Sequence, residues 1–283
     1  MQSLQSAPIR VRCFGACEAW YGDRLLKIAR PELLLLLAVH SITGIQSEKL
    51  ADMLWDDPKD DPDTALRKPR FKLRRQLHRL VPEVTADPVP GSASHGEKVV
   101  SLDTAVVSSD AHEFTELLNC VKELKLAPAE AIEAYEAALS LYRGDLLDSP
   151  NMPNYRWMYD VEQPVALTLR SDFRRRHKEA RLQLAELLAN GPETGLARAE
   201  ELYSSLCAED FMDERLWLAL FGIHERTGSS LGLENAVRRL RGTLAELSPD
   251  GVVDIDRVPL PANLARIVED IRSRIGGGAP VSR

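Results

Sequence analysis

The chain has 283 residues, 44% hydrophobic and 28% charged, with a formal net charge of −7; this is ordinary globular composition at a length that suits two domains. No apolar run approaches the roughly 20 residues that span a bilayer, and the absence of an apolar core in Met1–Ala7 predicts a cytoplasmic protein with no membrane partner. Four scattered cysteines, Cys13, Cys17, Cys120 and Cys207, offer neither a disulfide framework nor a zinc site.

Residues 9–28 read as short strands: IRVRCF alternates, and Tyr21-Gly22-Asp23 predicts a hairpin turn before RLLKI. Pro31 opens a helix over ELLLLLAVH. Ser47 is the expected N-cap of a second helix, SEKLADMLW, with Leu50, Met53 and Leu54 on one face. Asp63 or Thr64 caps a third helix that runs to about Leu80 and stops at Pro82. Pro69 falls inside it, where a missing N–H and a clash with the carbonyl of residue 65 predict a kink or a late start. Residues 84–102 predict two strands around a Pro/Gly/Ser loop. From Asp110 onward the pattern is helical: Glu113–Lys125, Ala129–Leu141, Trp157–Ala189, Leu196–Glu209, Asp213–Thr227, Leu233–Leu247 and Ala262–Ile275. Arg181-Leu182-Gln183-Leu184-Ala185 recurs as Arg215-Leu216-Trp217-Leu218-Ala219, an offset of 34 residues that is the period of tetratricopeptide helical hairpins. The aromatic residues Tyr135, Tyr142, Trp157, Tyr203, Trp217 and Phe221 stand at helical spacing and are expected in the core.

The acidic total hides a segregation. Residues 1–100 hold 15 Lys/Arg and 13 Asp/Glu, whereas residues 101–283 hold 21 and 30. Asp56–Asp63 carries five Asp and one Lys, and the next eighteen residues, Thr64–Val81, carry seven Lys/Arg and no acid. On a helical wheel Leu73, Leu77 and Leu80 fall within about 40° of Leu66 and form a buried stripe. Lys68, Lys72, Arg75 and Arg79 fall at roughly 180–240°, with Phe71 and His78 on the shoulder of that outward face. Cations on one outward stripe, with no acid among them, suit phosphates and base edges. A second basic run, Arg170–Arg181, reads as a solvated helix face that pairs with acidic neighbours. The dispersed histidines form no HExxH spacing, and no GxxxxGK[ST] loop or GxSxG elbow is present. The expectation is a protein that is not an enzyme and uses no metal or other cofactor.

The run Ser47-Glu48-Lys49-Leu50-Ala51-Asp52-Met53-Leu54-Trp55, the acidic turn, Thr64-Ala65-Leu66 and Lys72-Leu73-Arg74-Arg75-Gln76-Leu77 together resemble the winged-helix DNA-binding domain of the Streptomyces antibiotic regulatory protein (SARP) family. Ala134–Leu147 and Trp157 resemble the opening and the tryptophan of the bacterial transcriptional activator domain that follows it. The resemblance implies an α+β N-terminal winged helix over residues 1–105 and an all-α, tetratricopeptide-like helical-repeat domain over residues 106–283. It also implies a sequence-specific transcriptional activator that binds promoter repeats on double-stranded DNA, acts as a homodimer there, and contacts RNA polymerase holoenzyme. The implied DNA-binding residues are Lys68, Phe71, Lys72, Arg74, Arg75, His78 and Arg79 on the third helix and Lys98 on the wing. The rival expectation, favoured by Pro69 and the acidic balance, is a helical-repeat protein-interaction scaffold with a degenerate winged helix.

Overall fold

The computed structural model describes residues 7–40, 43–55, 57, 60–90, 98–149, 165–247 and 254–277. Strand β1 (Ile9–Arg12) buries Ile9 and Val11 and exposes Arg10 and Arg12, the alternation of a sheet with one covered face. It pairs antiparallel with β2 (Glu18–Tyr21), which turns into the antiparallel β3 (Arg24–Leu26). Helix α1 (Glu32–Val39) is buried from Leu33 to Ala38, as five consecutive leucines require. A two-residue strand, β4 (Ile45–Gln46), leads directly into α2 (Ser47–Leu54). Helix α3 (Pro62–Leu80) then packs on α1 and α2. Strand β5 (Val99–Val100) pairs antiparallel with β4, and β6 (Val107–Ser109) pairs in parallel with the free side of β1. The main sheet therefore has the order β3-β2-β1-β6.

The rest is helical: α4 (Asp110–Leu124), α5 (Pro128–Leu141), α6 (Val165–Asn190), α7 (Leu196–Glu209), α8 (Glu214–Arg226), α9 (Ser230–Glu246) and α10 (Ala262–Gly277). The protein is thus helix-rich, with a small N-terminal sheet and a helical C-terminal part. Trp157 and the start of the helix expected from it lie outside the described residues. Tyr135, Tyr203, Trp217 and Phe221 are buried, and Tyr142 is half-buried.

Several local expectations change. The cap of α3 is Asp61, not Asp63 or Thr64: its carboxylate accepts from the Thr64 N–H (3.1 Å) and the Thr64 hydroxyl (2.7 Å), with Pro62 in the first turn. No late start occurs, because the helix is already capped when the chain reaches Pro69. Ser47 does not cap α2; its N–H and Oγ both donate to the Lys98 carbonyl (2.7 and 2.8 Å), which fastens α2 to the strand region after the loop. Only β5 forms a strand within 84–102 among the described residues, and its partner is β4. Pro82, Pro88 and Pro90 have no N–H to give a ladder, and residues 91–97 lie outside the described set.

The described residues fall into two compact units, divided between His177 and Lys178. The 105/106 boundary that the family resemblance implies falls inside the first of these units. The physical reason lies at the C-terminal end of β1. The buried Asp110 carboxylate, in the first turn of α4, accepts from the N–H groups of Cys13 (2.7 Å) and Phe14 (3.2 Å). The Cys13 carbonyl accepts from Leu147 N–H (2.6 Å), and Gly15 N–H donates to Asp145 (3.0 Å). Gly15 (φ +68°) touches the backbone of Gly144, where a Cβ would come within 3.0 Å of the Gly15 Cα. Phe14 inserts between Phe114 (5.6 Å between ring centroids), Phe173 (5.2 Å) and Tyr142 (4.7 Å). A cut at residue 105 would strip all of this from the sheet.

In the second unit α8 packs against α7, α9 and α10. Buried positions on α7 and α9 repeat at the offset of 34: Ala199 and Leu233, Leu202 and Ala236, Tyr203 and Val237, Leu206 and Leu240. The five-residue echo itself is out of register. Leu184 and Ala185 are buried, whereas Leu218 and Ala219 at the matching positions are half-exposed, and Leu216 and Trp217 are buried instead.

Burial pushes the Asp110 carboxyl up to about 6, against the opposing pull of the Cys13 and Phe14 N–H groups. The folded protein therefore binds this proton more tightly than the unfolded chain, and the group's ionisation costs stability as pH rises from about 4 to about 6. The term is at most roughly 3 kcal/mol. Urea unfolding at pH 7.5 and pH 5 should show the wild type gaining stability relative to Asp110→Asn on acidification; parallel shifts in the two proteins would refute the assignment.

Candidate nucleic-acid interface

Helix α3 divides into three faces. Leu66, Leu73 and Leu77 are buried, and Leu80 is half-buried. Opposite them Lys68, Phe71, Lys72, Arg75 and Arg79 are exposed, and Arg67, about 100° round from Leu66, is exposed beside them. No ion pair to any of these five cations occurs among the described residues, and no carboxylate lies on the stripe. Phe71 is 57% exposed, in the middle of the charged face.

The third face, between the other two, holds Arg70, Arg74 and His78, one helical turn apart. Arg70 donates to the Pro90 carbonyl (2.7 Å). Arg74 donates to the Asp87 carboxylate (2.7 Å) and to the Val89 carbonyl (2.9 Å). His78 Nδ1 lies 2.8 Å from the Val84 carbonyl. This row grips residues 84–90 and tucks Val89 into the core at 0% exposure. Arg74 and His78, expected on DNA, are instead engaged by residues 84–89 of the protein itself, through the Asp87 carboxylate and the Val84 and Val89 carbonyls. The wheel carried the signal, since Arg70 and Arg74 fall at roughly 40° and 80° from Leu66, too close to the buried stripe to reach outward.

Both ends of α3 are tied down. At its N-terminus Lys98 forms an ion pair with Asp63 (2.8 Å). The hydrogen bond between them holds the Asp63 carboxyl below the usual range and raises the Lys98 ammonium. Lys98, expected to touch DNA from the wing, is thus bound to α3, although its side chain is still largely exposed. At the C-terminus Arg24, whose guanidinium lies over the Tyr21 ring, donates to the Leu80 carbonyl (2.5 Å). Arg67 is an exposed cation that the four-residue wheel stripe omitted. The geometry collects Lys68, Phe71, Lys72, Arg75 and Arg79 on one free surface and leaves Arg74, His78 and Lys98 in framing contacts.

The second basic run is consumed by the fold. Arg170 donates to the carbonyls of Leu146 (2.6 Å) and Leu147 (2.8 Å), and Arg174 pairs with Asp145. Arg175 and Arg176 both pair with Asp172 (2.6 and 2.9 Å). Lys178 and Arg181 pair with Asp210 and Glu209 (2.7 and 2.5 Å). Among the described residues no group of three His, Cys, Asp or Glu side chains could hold a metal ion. Burial pushes the Cys17 and Cys207 thiols up to about 12, so neither offers a thiolate. No described helix is long and apolar enough to cross a membrane.

Residues 109–248 match the family described as the bacterial transcriptional activator domain. No curated protein sequence matches the chain. Among solved structures the chain is similar to Mycobacterium tuberculosis EmbR in complex with a low-affinity phosphopeptide, with a TM-score of 0.56 and 17% identity. The similarity covers 97% of this chain and 66% of the EmbR chain.

The three faces predict separable effects in thermal melts. Leu73→Ala should destabilise by about 2–4 kcal/mol through a core cavity. Lys72→Ala and Arg75→Ala should stay within about 0.5 kcal/mol of wild type. Arg74→Ala should fall between them, near 1 kcal/mol, as residues 84–90 lose an anchor. A charge variant that melts like Leu73→Ala would contradict the assignment of faces.

Proposed function

We propose that the chain is a SARP-type transcriptional regulator and that it activates transcription by reading duplex DNA with the exposed face of α3. In this reading residues 1–105 act as a winged helix whose α3 enters the major groove. Residues 106–283 form tetratricopeptide-like helical repeats that contact RNA polymerase holoenzyme and support dimers on promoter repeats. The observation that carries the reading is the exposed stripe of Lys68, Lys72, Arg75 and Arg79, with Arg67 beside it, which forms no ion pair among the described residues although the whole chain is acidic. The scaffold alternative drew on Pro69, and its support weakens because α3 continues unbroken through that residue.

Phe71 fits base readout. Only thymine presents a methyl group in the major groove, and an apolar ring among cations suits it. Arg70, Arg74 and His78 act as positioning residues that fix the approach to the wing.

Neutralisation of about five phosphates per subunit should make log affinity fall against log salt with a slope near −4.5. Lys72→Ala should reduce that slope by about one. Gel retardation over a salt series checks both, and a slope near zero would reject DNA binding.

Selection of binding sites from random DNA tests Phe71. Phe71→Ala should weaken specific binding by about 1–3 kcal/mol and relax one thymine preference per half-site while leaving the melting temperature unchanged. An unchanged site with a lowered melting temperature would mean that Phe71 packs rather than reads.

A further inference from the structure

A groove of about 540 Å³ opens between the start of α1, the end of α2 and the middle of α3. That is within the volume range of small-molecule sites. Its floor is apolar, built from Leu33, Leu54, Trp55 and Leu73. Three cations line it, Arg30 just before α1 and Lys68 and Lys72 on α3, with Glu32 the one carboxylate among the lining residues. Arg30 lies outside α3, so its charge is not part of the stripe assigned to DNA. One wall is formed by Ala65 and Pro69. Proline has no N–H, so the Ala65 carbonyl lacks its helical donor from residue 69. The proline that looked like a helix fault thus places an acceptor without its ladder partner beside an apolar floor.

We propose that this groove binds a small amphipathic anion, an apolar ring body bearing a carboxylate or sulfonate, and that its occupant competes with duplex DNA. The ring lies on the Leu54, Trp55 and Leu73 surface, and the anion bridges Arg30 to Lys68 and Lys72. A donor on the ligand would satisfy Ala65. The competition follows because Lys68 and Lys72 cannot serve the ligand anion and DNA phosphates together. That part rests on the DNA reading; the existence of the site does not.

The test uses the whole chain and 8-anilinonaphthalene-1-sulfonate, whose fluorescence rises in apolar surroundings. Without DNA, titration should give one saturable site. Arg30→Glu, at an exposed residue away from the DNA stripe, should weaken it roughly tenfold. The uncharged N-phenyl-1-naphthylamine should bind more weakly than the sulfonate. A duplex obtained by site selection should displace the probe. Probe binding indifferent to Arg30→Glu, or no saturable binding, overturns the site, and probe that stays on the DNA complex overturns the competition. A chain that binds the probe with Arg30 dependence but binds no duplex supports the site and overturns only the DNA reading.

Discussion

The architecture of the first compact unit depends on one buried carboxylate. Asp110 accepts from two consecutive N–H groups at the point where the β1 ladder ends. Without it, the chain at Cys13 and Phe14 would carry two unsatisfied donors in the core. With it, β1 is joined at one point to the start of α4, while β6 pairs along its side. Ser109, just before Asp110, adds a link of its own: its Oγ accepts from His112 N–H (3.1 Å) and donates to the Ala38 carbonyl (2.8 Å), so the end of α1 and the start of α4 share one hydroxyl. Sheet, α1 and α4 therefore form one frame, and α3 rests on it through α1.

That frame explains how α3 can present so much uncompensated charge. A helix with seven cations and no acid between residues 64 and 81 has an unfavourable self-interaction. Its position is fixed by leucines on one side, by Arg70, Arg74 and His78 on another, and by ties at each end. Two of the seven cations spend their charge on the protein, and this spending fixes the remaining five in place.

Much of this was legible in the sequence. The leucine stripe and the outward cations of α3 obey helical periodicity, which needs no tertiary knowledge. The helices after residue 110 were marked by Pro and Gly breakers between periodic runs. What was not legible came from distant partners. Nothing local reveals that Arg74 meets Asp87, that Lys98 meets Asp63, or that Ser47 bonds to a carbonyl 51 residues away. The cap of α3 was missed because three acids precede Thr64 within four positions, and Asp61 wins by geometry rather than identity. The five-residue echo misled because letters matched where burial did not, while the positions of α7 and α9 that match at the same offset share only burial and apolar character. The boundary near 105 came with the family resemblance, and the tie of β1 to residues 107–110 rests on partners that no local pattern shows.

The parallel partnership of β1 and β6 also orders events during synthesis. β1 leaves the ribosome almost one hundred residues ahead of its parallel neighbour. Until residues 107–109 emerge, one edge of the sheet is unpaired, and the aromatic ring of Phe14 has no Phe114 or Phe173 to enter. The nascent N-terminal segment is therefore an open template for foreign strands. Completion of its sheet, and with it the seating of α3, waits on translation of β6 and the start of α4. Any truncation or fusion that separates the N-terminal sheet from the helical part must leave β6 and Asp110 with the N-terminal piece.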